Sequence, residues 1–188
     1  KYVQLPASEV DTELLQDVQQ RSRAPVSCLA PPCVRHPAAT LIPNPIMKLL
    51  HVGNLGPYHP RLRELGEALL KRQKLPFRLT TTRNAEEAAQ LYAQHALVLN
   101  VPLNQDLNHR LFEVIAAGVP QVVFGHPNLL GEDSSLTKRT DLFWAQSIDE
   151  LEALVNQLLS DPNMLRARCV KPPPHWGLKA LLQQAFSP

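Results

Sequence analysis

The sequence predicts an α/β domain: a parallel sheet of about five strands with helices on both faces, preceded by a proline-rich N-terminal extension. Three observations carry that expectation. From Met47 onward, short apolar runs alternate with segments whose leucines and alanines recur at helical spacing. The stretch from Asn104 to Gly125 reads in succession as loop, helix, glycine stop and buried strand. Finally, the polar residues suited to chemistry cluster just after the expected strands, where an open α/β sheet gathers its ligand-binding loops.

The elements follow in order. Residues 9–22 read as a short helix with Leu14, Leu15 and Val18 on one side. Between 24 and 45 lie Pro25, Pro31, Pro32, Pro37, Pro43 and Pro45, which remove amide donors and fix φ, so this stretch reads as an extended connector. Its Val26, Leu29, Val34, Leu41 and Ile42 imply that it packs against something. Lys48 to Val52 is the first strand, and Pro60 to Lys74 a helix with Leu62, Leu65, Leu69 and Leu70 on one face. Phe77 to Thr81 is the second strand. Asn84 to His95 is a helix capped by Asn84, with Glu86 and Glu87 at its positive end. Ala96 to Val101 is the third strand. A helix capped by Asn108 follows, with Leu111, Phe112, Ile115 and Ala116 on one face, Gly118 as C-cap and Pro120 barring continuation. Gln121 to Phe124 and Thr140 to Ala145 complete the strands. Ser147 and Glu150 form a capping box for a helix reaching about Ser160, ended by Asp161 and Pro162. After Pro172, Pro173 and Pro174, His175 to Phe186 reads as a last helix. The organisation is an N-terminal helix and connector over 1–46, the α/β domain over 47–165, and a tail over 166–188.

A chain of 188 residues suits one domain with an extension. A net charge of +2, scattered basic residues and an aromatic content of 5% argue against a nucleic-acid partner. No stretch approaches the ~20 apolar residues of a membrane span. Cys28, Cys33 and Cys169 lack metal-ligand spacing, which points to a reduced, cytoplasmic setting, with a Cys28–Cys33 disulfide left open. The chain starts at Lys1 rather than Met, which reads as a fragment or processed piece.

The residues after the strands are Gly53, Asn54, Leu55 and Gly56; Thr81, Thr82 and Arg83; Pro102 to Asn108; and Gly125 with His126. Gly53 and Gly56 serve either a tight turn or the close approach of a ligand. The dinucleotide G-x-G-x-x-G fingerprint is absent, as are a phosphate-binding P-loop, a serine-hydrolase elbow and His or Cys spacings suited to a metal. Asn108, His109 and Arg110 occupy a helix N-terminus, whose amides and dipole favour an anion such as a diphosphate, with Arg110 able to add a bidentate fork. The alternatives there are capping for Asn108, a solvated face for Arg110 and a surface role for His109. Glu113 is the one charged residue on an otherwise apolar stretch of helix. It either faces solvent or uses its two oxygens to accept from paired hydroxyls. Arg83, ahead of Arg61 and Arg63, is the candidate to neutralise phosphate from the opposite side.

These residues carry a resemblance. Gln105 to Glu113, followed by Ala116, Gly118 and Pro120, resembles the D-G-L-N-x-R-x-F-E-x-x-A-x-G-x-P stretch of the C-terminal nucleotide-binding domain of GT-B glycosyltransferases, in their CgeB-like and group 1 branches. Leu49 to Leu55 resembles the family's first strand and glycine turn, and Leu5 to Ser8 with Asp11 to Leu15 resembles its entry segment; the likeness covers roughly 48–165. It implies a Rossmann-like fold and a metal-independent transferase without cofactor. The donor would be a nucleotide-diphosphate sugar, bound by Gly53, Asn54, Arg83, Asn108, His109, Arg110 and Glu113. Glu113 matches the glutamate thought to hold the ribose. Gln105, eight positions earlier, stands where many members carry a glutamate toward the transferred sugar, with Asp106 beside it as the alternative source of charge. The resemblance further implies that a second, N-terminal Rossmann-like domain is missing from this chain. A non-catalytic binding or scaffolding module of the same architecture is the competing expectation, and a dinucleotide or flavodoxin-type binder a third.

Overall fold

The computed structural model describes residues 20–21, 33–53, 60–102, 108–127, 136, 138–171, 179–180 and 183. Five strands form one sheet: β1 (Ile46–Val52), β2 (Phe77–Thr80), β3 (His95–Asn100), β4 (Gln121–Phe124) and β5 (Leu142–Ala145). The order is β2-β1-β3-β4-β5, and every neighbouring pair is parallel. The helices are α1 (Pro60–Leu70), α2 (Ala85–Gln94), α3 (His109–Ala117), α4 (Ile148–Ser160) and α5 (Pro162–Ala167). Most of the helix expected over 9–22, and most of the tail helix, lie outside the described residues; Gln20, Arg21, Lys179, Ala180 and Gln183 are helical.

Crossover handedness distributes the helices. A parallel connection is right-handed, so stepping one way along the sheet puts a helix on one face and stepping the other way puts it on the opposite face. The step from β1 to β2 carries α1. The steps from β2 across to β3, and from β3 to β4, run the other way and carry α2 and α3. The packing follows. Leu49, Leu97, Leu99 and Val122 meet Leu62 and Leu69 of α1, Leu151, Val155 and Leu158 of α4, and Leu165 of α5. On the other face, Leu50, Val52 and Val98 meet Ala88, Ala89 and Tyr92 of α2 and Val114 and Ala117 of α3. The outward side of α3, through Leu111, Phe112, Ile115 and Ala116, packs with Val123, Leu136 and Leu142. Strands covered on both faces read as continuous apolar runs, as β3 does with all its residues buried.

Boundaries shift by a few residues from expectation. α1 stops at Leu70 rather than Lys74, β1 begins at Ile46, and Asp161 does more than end α4. Its side chain accepts from the Met164 amide at 2.9 Å, which caps a further short helix with Pro162 in its first turn, where proline costs no hydrogen bond. The connector over 33–45 has no helix or strand, yet Cys33 and Ala39 are buried against the α2 and α3 side of the sheet.

Gly118 ends α3 in the left-handed region, at φ 76°, with its amide donating to Val114 and Ile115. A Cβ there would meet nothing nearer than 3.9 Å, so the constraint is backbone strain alone. Gly118→Ala should lower the unfolding free energy by about 1 kcal/mol, and Gly118→Asn by less, measured by urea denaturation.

Candidate functional site

The strand order reverses direction at β1: β2 lies to one side, and β3, β4 and β5 to the other. In an open α/β sheet the ligand crevice lies at the carboxyl ends of the strands flanking such a switch. Here that is the edge formed by Gly53 after β1, Asn100 and Val101 at the end of β3, and the N-terminus of α3.

Asn108 fixes the last of these. Its Oδ1 accepts from the Leu111 amide at 3.2 Å, while its Nδ2 donates to Asn100 Oδ1 at 2.9 Å and to the Val101 carbonyl at 3.3 Å. Asn100 is buried, so the contact ties the helix tip to the strand end inside the fold. With both polar atoms committed, the Asn108 side chain sets the helix in place instead of reaching outward. The amides of His109 and Arg110, ahead of it, have no intrahelical acceptor by geometry, and the helix dipole adds positive potential there.

Arg110, on the first turn, folds back over Gly53. A Cβ on Gly53 would lie 3.4 and 3.5 Å from the Arg110 Nη2 and Nη1, and 2.8 Å from His51 Nε2. The residue is glycine because two nitrogen-bearing side chains crowd its Cα; its φ is not left-handed. Its own amide is taken by Thr80 O at 2.9 Å, so it contributes space rather than a donor. The Arg110 Nε is buried without an acceptor. His51 donates or accepts through Nδ1 at Leu99 O, 3.1 Å away; a carbonyl only accepts, so the proton sits on Nδ1. Its Nε2 is buried and unpartnered. Burial first, then the Arg110 charge, push the imidazole down to about 4, against a smaller opposing effect of the Leu99 carbonyl.

Glu113 lies one turn further along α3. Its carboxylate is exposed and accepts from the Tyr92 hydroxyl of α2 at 3.5 Å, and the Tyr92 ring also lies beside the Arg110 charge. Burial, with the Glu113 charge adding and Arg110 opposing, holds the phenol up at about 12, so it stays a hydroxyl. Glu113, Tyr92 and His109 share a cleft of about 390 Å³ with Ala85, Ala89 and the connector residue His36. A contact relay, Gly53–Arg110–Tyr92–Glu113, therefore joins the switch point to this cleft.

Among the remaining sequence candidates, Arg83 also lies at this edge of the sheet, beyond β2. Its side chain is 89% exposed and pairs with Glu87 at 3.4 Å. Arg63 is drawn to Glu67 at 2.9 Å on the solvent side of α1. His109 and His126 are exposed. Asn54, Gln105 and Asp106 lie outside the described residues. Among the described residues no cluster of metal-ligating side chains occurs, and no helix is long and apolar enough to cross a membrane. Sequence reasoning missed His51 and Tyr92. The signals were present: a histidine interrupting an apolar strand two residues before a glycine, and the sole aromatic ring on an alanine-rich helix.

Taken together, the edge offers cationic and amide donors above a glycine, and next to them a carboxylate in an open cleft. That pairing suits an anion attached to a hydroxyl-bearing group. A family model described as glycosyl transferase-like matches residues 59–170, more than half of the sequence, and the chain belongs to that family. Among solved structures, it is similar to the GtfA/B complex at 14% identity and a TM-score of 0.45, over 89% of this chain and 41% of that one. It is also similar to the pneumococcal O-GlcNAc transferase GtfA in complex with UDP and GlcNAc, at 14% identity and a TM-score of 0.41, over 88% and 38%. The chain thus spans about two fifths of the length of these structures. No curated protein sequence matches it.

Two stability experiments test this geometry. Asn108→Ala removes a cap and orphans the buried Asn100 oxygen, so urea unfolding should register a loss of about 2 kcal/mol. His51 is neutral in the fold and has its ordinary value of 6.5 when unfolded. The unfolded chain therefore binds the extra proton, and stability falls as pH drops from 6.5 to about 4, by up to about 3 kcal/mol in total. His51→Asn should flatten the unfolding free energy across that window.

Proposed function

We propose that this chain is the donor-binding domain of a glycosyltransferase that moves a sugar from a nucleotide-diphosphate sugar to an acceptor. The observation that carries the reading is Arg110: a guanidinium laid over Gly53 at the switch point, with its buried Nε lacking an acceptor. A buried donor without a partner costs roughly 1–3 kcal/mol, which a phosphate oxygen would relieve. The diphosphate would rest against Arg110 and the free amides of the α3 tip. Both stabilise the charge that develops on it as the sugar departs, in the place a metal ion takes in other transferases. Glu113 would accept from the two ribose hydroxyls, with the Tyr92 hydroxyl holding its carboxylate in place. Gln105 and Asp106 would meet the transferred sugar, with Asn54 and His109 completing the site; Arg83 would join only by leaving Glu87. The acceptor and any catalytic base would come from a second α/β domain. Cytoplasmic residence belongs to the same reading, and the described cysteines, Cys33 and Cys169, are free thiols. A binding module without transfer activity is favoured by one feature, the uncharged Gln105.

Calorimetric titration of the chain with UDP-, GDP- and ADP-glucose tests the proposal. One of the three should bind, and Arg110→Ala should weaken it by about ten- to hundredfold, as expected for a charge-assisted contact. Glu113→Ala should weaken the natural nucleotide about tenfold while leaving affinity for its 2′,3′-dideoxy analogue unchanged, because the lost partners are the hydroxyls. Absence of binding to all three sinks the reading. Binding without sugar release to any acceptor, once the second domain is supplied, would favour the module.

A further inference from the structure

His51 is left without a task by the donor-site reading, and its placement assigns it one. The ring is locked: Nδ1 faces Leu99 O at 3.1 Å, and its flank packs on Leu62, Leu65 and Leu69 of α1. The void beside it, about 10 Å³, is walled by apolar side chains and gives Nε2 no polar partner. Nε2 instead reaches the same point above the Gly53 Cα as the Arg110 guanidinium. His51 Nε2 from β1 and the Nη1 and Nη2 of Arg110 from α3 thus converge above Gly53, and both His51 Nε2 and the Arg110 Nε of that same guanidinium are buried with no acceptor among the described residues.

We propose that His51 takes up a proton from solvent when the diphosphate docks on Arg110, and donates Nε2–H to a phosphate oxygen. This rests on the donor-site reading and deepens it. The proton is absent beforehand because burial and the adjacent Arg110 cation both disfavour imidazolium. A diphosphate over Gly53 reverses the electrostatics: it screens Arg110, supplies negative charge and supplies the missing acceptor. The groups facing His51 are few. α3 contributes Arg110, β3 the Leu99 carbonyl and Val101, β2 Phe77, and α1 only apolar side chains and Gly66, whereas Arg63 and Glu67 of α1 pair with each other in solvent. Arg110 is the one charge among these that bears on the ring. His51 therefore acts as a positioning and charge-matching residue that makes donor affinity depend on pH.

The sign follows from linkage. The free site binds this proton only near pH 4, and the occupied site binds it at higher pH. Affinity is flat above the occupied-site value, then rises by up to tenfold per pH unit as pH falls below it. The experiment is calorimetric titration of the full chain with whichever of UDP-, GDP- and ADP-glucose binds, from pH 7.5 to 5.5, in paired buffers of different ionisation enthalpy. The diphosphate diester of such a donor does not titrate in this range, so proton uptake reports the protein. We expect the Kd to fall several-fold toward pH 5.5, with uptake approaching one proton per donor. His51→Asn keeps a donor toward Leu99 O but lacks Nε2, so its proton uptake on binding should fall well below that of the wild type. His51→Gln, which places a permanent amide near the Nε2 position, should recover affinity without the pH dependence. Donor binding with no uptake, or equal uptake in wild type and His51→Asn, overturns the proposal and spares the donor-site reading. Failure of all three donors to bind at any pH overturns both.

Discussion

The site depends on one side chain doing two jobs. Asn108 caps α3 through Oδ1 and anchors it to the end of β3 through Nδ2. A helix cap alone would let the helix tip swing relative to the sheet, and a strand contact alone would leave the first turn frayed. Joined, they fix the height and rotation of α3. That rotation decides that Arg110 falls over Gly53, that Glu113 opens into the cleft one turn later, and that Val114 and Ala117 face α2.

Fixing α3 in this way leaves polar groups without partners. Arg110 Nε, His51 Nε2 and Gln121 Oε1 are buried with nothing to bond. Gln121 is half satisfied, since its Nε2 donates to Leu111 O at 3.0 Å. The other two belong to side chains that meet above Gly53. A fold that elsewhere ties its charges closely, as with the buried Arg139–Asp141 pair beneath β5, leaves this pair open at the switch point. Unmet hydrogen-bonding capacity concentrated at a ligand crevice is a physical sign of a missing anion, and it does not depend on any motif.

Most of the architecture was legible in the sequence because each signal was local. The apolar runs named the strands, and Asn84, Asn108, Ser147 and Gly118 named helix ends that the structure repeats. Asp161 was legible only as a stop, because a cap for a six-residue helix looks the same as the end of the preceding one. The site was less legible. Helical periodicity placed Arg110 and Glu113 on the same helix, but their connection runs through Tyr92 on α2, a contact between residues far apart in the chain. His51 stood out in the sequence as a histidine interrupting an apolar strand, but its meaning waits on the tertiary fold, which shows which atom is left bare. Gly53 was read as turn or ligand approach, and the structure adds a constraint of its own, the crowding of its Cα by His51 and Arg110.

The central claim is that an anion belongs against the Arg110 guanidinium, at the edge where it lies over Gly53. A crystal structure of the chain grown with its preferred nucleotide sugar tests it most directly. The account predicts a phosphate oxygen within hydrogen-bonding distance of Arg110 Nε, with the ribose turned toward Glu113. A nucleotide seated elsewhere, such as the apolar pocket of about 330 Å³ near Leu41, His95 and Cys169, with Arg110 Nε still bare, would contradict it.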